Sequence, residues 1–124
     1  MTRATAASPR DLELLRVGRQ QVRITHPDKV LYPRTAMTKA DVVAYYLRIA
    51  PFLLPHIKGR ALTLKRYPLG VSQKHFYEKT CPSHKPDWVR ALHVRSSGKG
   101  FIDYCAIDDV AGLLWAVNLT SLEI

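Results

Sequence analysis

The chain has 124 residues, 47% of them hydrophobic, which suits one domain with a modest core and excludes a disordered chain. Nineteen Lys and Arg against ten Asp and Glu give a net charge of +9. No apolar run reaches membrane-spanning length and the start, "MTRATAASPR", lacks the apolar stretch of a secretory signal, so a cytoplasmic protein without a membrane partner is expected.

The charge is uneven. Residues 1–100 hold all nineteen cations and six acids, a surplus of thirteen, whereas residues 101–124 hold Asp103, Asp108, Asp109 and Glu123 and no cation. A basic surplus of this size points to a polyanionic partner, most often nucleic acid. The two cysteines, Cys81 and Cys105, fit free thiols in a reducing compartment. A zinc set of Cys81, His84, His93 and Cys105 is the weaker reading, because His93 and Cys105 are widely split.

Residues 1–19 read as a mobile basic N-terminal arm, open to disorder, in which "DLELLRVG" could make a short helical turn closed by Gly18. "QVRIT" alternates and predicts a strand with Val22 and Ile24 on one face. "THPDKVLYPRTAMTK" is turn and loop by its prolines. Thr38 is a good helix N-cap with Asp41 three residues on, and Val42, Tyr45, Tyr46 and Ile49 form an amphipathic stripe over a helix at 38–54. Pro51 is expected to kink that helix or start a second one. "ALTLKRYP" predicts a strand with Leu62, Leu64 and Arg66 on one face and Thr63, Lys65 and Tyr67 on the other. "HFYEK" predicts a second strand and "TCPSHKPDW" an irregular loop.

"ALHVRSSGKGFIDYCAID" predicts a hairpin with arms 91–95 and 101–107 and a flexible basic tip. Asp108 then caps a helix at 108–119 whose Val110, Leu113, Leu114 and Val117 form one stripe. "TSLEI" begins a further strand, and the chain reads as cut there. The expected class is α+β: a small, mostly antiparallel sheet with packed helices.

Two stretches carry candidate chemistry. Lys29 on a turn and Lys39 at a helix start can converge on one terminal phosphate, with His26 and the N–H groups after Thr38 as further donors. Two solvated surface lysines would fit the pattern equally well. In "KHFYEK", Phe76 and Tyr77 between cations form either a base-stacking platform or a pair of sheet aromatics, one of them buried. There is no Walker-type phosphate loop and no Asp-x-Asp pair for a two-metal cluster.

"ITHPDKVLYPRTAMTKADVVAYY", "GRALTLKRYPLGV", "HFYEK", "PDWV" and "WAVNLTSLEI" stand in an order and spacing that resembles the polymerase domain of bacterial DNA ligase D, within the archaeo-eukaryotic primase superfamily. The resemblance covers residues 20–124. It implies DNA repair by non-homologous end joining, with DNA bearing 5′-phosphorylated ends or gaps as partner. It also implies a nucleoid-associated location and company with the remainder of the domain, a ligase domain and Ku. By this resemblance Lys29, Lys39 and His26 bind the 5′-phosphate, Phe76 and Tyr77 stack near the template, Lys65 and Arg66 line the cleft, and Arg95 and Lys99 touch DNA from the hairpin.

In that family a nucleotide-binding His and three metal-binding Asp follow "LEI". No cofactor is therefore expected in this chain, whereas Mg or Mn and NTP or dNTP are expected for the complete domain. The chain alone is expected not to polymerise. The rival readings are half of a split polymerase completed in trans and a non-catalytic basic interaction module.

Overall fold

The computed structural model describes residues 12–98 and 100–123. Strands β1 (Leu12–Val17) and β2 (Gln20–Thr25) form an antiparallel hairpin, followed by a short pair, β3 (Val30–Tyr32) and β4 (Met37–Thr38). Helix α1 (Lys39–Ile57) leads to β5 (Leu64–Arg66) and β6 (Phe76–Glu78). The hairpin β7 (Arg90–Ser96) and β8 (Gly100–Ala106), helix α2 (Val110–Asn118) and β9 (Ser121–Glu123) complete the order. β5 lies between β6 and β9, antiparallel to both. The class is α+β, as expected.

The core gathers around α2, which packs against α1, β2 and β9. Because three elements cover it, every residue from Ala111 to Val117 is buried, so the single apolar stripe read from sequence understates how enclosed this helix is. Val22 and Ile24 enter the core from β2, Val42, Val43 and Ala50 from α1, and Leu64 from β5. The sharp turn after β5 needs Gly70, whose φ is +100° and whose missing Cβ would stand 3.0 Å from the Leu31 carbonyl oxygen.

Several local expectations change. The helical turn expected in "DLELLRVG" is strand β1, because its Leu15 and Val17 reach the core by pairing with β2, and Gly18 serves the hairpin turn instead. Residues 1–11 of the expected arm lie outside the described residues. Helix α1 runs unbroken through Pro51 and Pro55. Both prolines face solvent, while Leu53, Leu54 and Ile57 hold the last turns against the core. Tyr45 is exposed, and its ring stands nearly perpendicular to that of Tyr46.

The α2 cap is Asp109, which accepts from the Gly112 N–H at 2.8 Å. Asp108, the expected cap, accepts two hydrogen bonds from Arg90 at 3.0 and 3.1 Å and one from the Gly59 N–H. The guanidinium of Arg90 holds its carboxyl below the usual carboxylate range. Cys81 and Cys105 are joined in a buried disulfide, with Cα atoms 4.8 Å apart. That corrects both the free-thiol and the zinc reading: β8 and the loop after β6 meet at these sulfurs, which leaves neither to a metal. Among the described residues, no helix is long and apolar enough to cross a membrane.

Candidate nucleic-acid interface

The turn between β2 and β3 is closed by the Lys29 N–H, which donates to the His26 carbonyl at 3.0 Å. His26 is exposed and takes a positive φ of 49°. The turn then docks on the start of α1. The N–H of Lys39 donates to the Lys29 carbonyl at 2.8 Å and that of Ala40 to the Pro27 carbonyl at 2.9 Å. Thr38 and Asp41 form a reciprocal capping box, so the Asp41 N–H is also engaged. The first three N–H groups of α1 therefore hold the turn and the cap in place. They are not the anion donors anticipated from sequence, and the lysine side chains are left to supply the charge.

Those side chains lie within electrostatic reach of each other. Lys39 is only 3% exposed. Its ammonium donates to the Asn118 carbonyl at 3.0 Å and lies 3.4 Å from both Asn118 Oδ1 and Thr25 Oγ1. Lys29 is half-buried and donates to the Pro68 carbonyl. Burial first, then the neighbouring charges of Lys29 and Arg66, lower the pKa of Lys39 from 10.5 to about 8.

The end of α2 explains how this charge is tolerated. That helix has no basic residue in its last turn. Its Ala116 and Val117 carbonyls accept from the Leu119 and Thr120 N–H groups. The next two carbonyls are served from elsewhere in the chain: Asn118 by Lys39 Nζ and Leu119 by Arg66 Nε at 2.8 Å. Two cations thus sit at the negative end of a helix. Arg66 is further fixed by Glu78 at 2.9 Å and lies over the Phe76 ring, 5.0 Å from its centroid.

The β5–β6 pair presents aromatics on both faces. Lys65 sits 5.5 Å from the ring centroids of Tyr67 and Tyr77, opposite the Arg66 face, as the alternation predicts. Phe76 is 43% and Tyr77 62% exposed, which corrects the expectation that one of them is buried. β6 is an edge strand, and side chains on both of its faces reach solvent. On the hairpin, Arg95 lies 5.7 Å from the Phe101 ring centroid, and His93 stacks on the same ring at 4.4 Å while meeting Asp103 at 2.5 Å. Lys99 lies outside the described residues.

Thr25 and Asn118 were not singled out from sequence. The signal was slight: one amide ending an otherwise apolar helix.

A family model described as "LigD, primase-polymerase domain" matches residues 38–124. The chain belongs to this LigD domain family. The matched span includes Lys39, Lys65, Arg66, Phe76, Tyr77 and Arg95, and begins after His26 and Lys29. The multifunctional non-homologous end joining protein LigD of Mycolicibacterium smegmatis is 44% identical over 105 residues, which is 85% of this chain and 14% of that protein. The bifunctional LigD of Bacillus subtilis is 31% identical over 103 residues, 83% of this chain and 16% of that protein. The solved polymerase domain of Mycobacterium tuberculosis ligase D in complex with DNA superposes with a TM-score of 0.80 at 41% identity, over 85% of this chain and 36% of that one. The chain thus spans about a seventh of the length of these LigD relatives. The resemblance read from sequence is borne out.

Proposed function

We propose that this chain is the DNA-end and template recognition part of a repair polymerase of non-homologous end joining, and that Lys29 and Lys39 clamp a 5′-phosphate with His26 beside them. One observation carries the reading. Lys39 is buried, with the charges of Lys29 and Arg66 acting on it as well, and burial first and those charges second bring its pKa to about 8, while both lysine ammoniums are met by neutral oxygens. Clustered like charges destabilise a fold, and such perturbed groups concentrate at functional sites. A phosphate dianion would relieve the repulsion and exchange weak neutral acceptors for charge-assisted ones. The exposed Phe76 and Tyr77 beside Arg66 and Lys65 suit stacking of template bases, and Arg95 adds a cation on the hairpin.

The complete domain would transfer nucleotides from NTP or dNTP with Mg or Mn, alongside a ligase domain and Ku at the nucleoid. Among the described residues no group of three or more His, Cys, Asp or Glu side chains is placed to hold a metal, so no metal-dependent step is assigned to them. The clamp is tested by fluorescence anisotropy on a gapped duplex carrying either a 5′-phosphate or a 5′-hydroxyl. A charge-assisted contact is worth about 1.5–3 kcal/mol, so a preference of roughly tenfold or more for the phosphate is expected. Equal affinity for the two ends would remove the reading.

A further inference from the structure

Lys39 has three N–H donors, and two of its three oxygen neighbours belong to Asn118. The same Asn118 Oδ1 accepts from the Thr25 N–H at 2.8 Å and lies 3.3 Å from Thr25 Oγ1. Thr25 closes β2, and the turn bearing His26 and Lys29 departs from it. One amide at the end of α2 therefore ties the strand before the turn to the first residue of the helix after it, across sequence separations of 93 and 79 residues.

We propose that Asn118 is the positioning residue of the phosphate clamp, holding the Lys39 ammonium with its side-chain and main-chain oxygens while fixing the strand end from which the phosphate-binding turn departs. The inference rests on the clamp reading above. A neutral amide suits this task. It accepts from the ammonium without cancelling its charge, so the buried cation is held in register with its charge intact. An acid at this position would form an ion pair that competes with the phosphate. An apolar residue would leave the ammonium and the Thr25 N–H without their partner.

The charged groups acting on Lys39 are Lys29 from the turn and Arg66 from β5, with Glu78 held on Arg66. With the pKa of Lys39 near 8 in the free protein, the preference for a 5′-phosphate should fade as pH rises above that value, where the terminal phosphate is already a dianion.

The test uses the full chain with Asn118→Asp and Asn118→Leu. Folding is checked by near-ultraviolet circular dichroism. The ratio of affinities for 5′-phosphate and 5′-hydroxyl gapped duplexes is then measured from pH 7 to about 9.5, a range that spans the Lys39 pKa of about 8. Both variants should lose about tenfold of the preference at neutral pH, the scale of one charge-assisted contact. The midpoint of its pH dependence should move up in N118D, where a carboxylate holds the proton, and down in N118L. A purely structural role would lower stability and leave the midpoint in place.

If wild type shows no preference, the clamp falls and the proposal with it. If wild type discriminates and Lys39→Met does not, yet folded N118D keeps the wild-type ratio and midpoint, the positioning role alone is overturned. Should N118L not fold, N118D decides the matter alone.

Discussion

Lys39→Met measures what burying a cation in this site costs the fold. Lys39 is 3% exposed, and in the folded chain it releases its proton near pH 8 rather than at 10.5. Between these values the unfolded chain holds more protons than the folded one, so stability rises with pH across that window and the gain is absent below pH 8. At 1.36 kcal/mol per unit, the full increment is about 3 kcal/mol.

Methionine keeps the length of the stem without the charge. It also strips the Asn118 carbonyl of its donor, at about 1–3 kcal/mol. The two effects oppose each other at neutral pH, so the variant should stand within about 2 kcal/mol of wild type there. Urea unfolding, followed by the fluorescence of Trp88 and Trp115 without reductant, gives the stabilities at each pH. Wild type minus variant should grow by about 3 kcal/mol as pH rises from 8 toward 10.5, because the other titrating groups cancel in the difference. A flat difference would show that Lys39 is not the buried, repelled cation described and would refute the electrostatic reasoning.

Three further outcomes follow from the geometry. Phe76→Ala and Tyr77→Ala should each weaken DNA binding by about 1–3 kcal/mol with little loss of stability, because both rings are exposed, and thermal unfolding beside anisotropy separates the two effects. Reducing the Cys81–Cys105 disulfide, or replacing both cysteines by alanine, removes a link across 24 residues and should lower stability by about 3 kcal/mol in urea titrations. Gly70→Ala should lower the melting temperature, because it combines a φ of +100° with a Cβ 3.0 Å from the Leu31 carbonyl oxygen, at a cost of about 1–3 kcal/mol.

What could be read from sequence was whatever local chemistry dictates. The start of α1 follows from Thr38 and Asp41, whose capping box needs nothing beyond four consecutive residues. The β2 strand follows from Val22 and Ile24, and the β7–β8 hairpin from its glycine-rich tip. The two faces of β5 follow from simple alternation. β1 was misread because Leu12, Leu15 and Val17 suit a helical turn until the partner strand is known. Asp108 and Asp109 are adjacent acids, and only the position of Arg90, 18 residues away, decides which of them caps.

Within the candidate site, the residue types were legible and their surroundings were not. Lys29 and Lys39 stand out on their turn and helix. The inward turn of Lys39 depends on Asn118, 79 residues on, and the exposure of both Phe76 and Tyr77 depends on β6 lying at a sheet edge. The disulfide is likewise a tertiary pairing that no spacing rule announces.

The central claim is that the two lysines meet the terminal phosphate itself rather than DNA in general. A double-mutant cycle addresses that directly, with Lys29→Ala or Lys39→Met as one change and removal of the 5′-phosphate as the other. Binding free energies of the gapped duplex are taken at fixed salt and pH 7. A direct contact predicts a coupling of about 1.5–3 kcal/mol for each lysine, with both variants binding the 5′-hydroxyl duplex nearly as well as wild type does. Loss of affinity by the same amount for both duplexes, with coupling near zero, would mean that the lysines serve only the general electrostatic attraction of a basic chain.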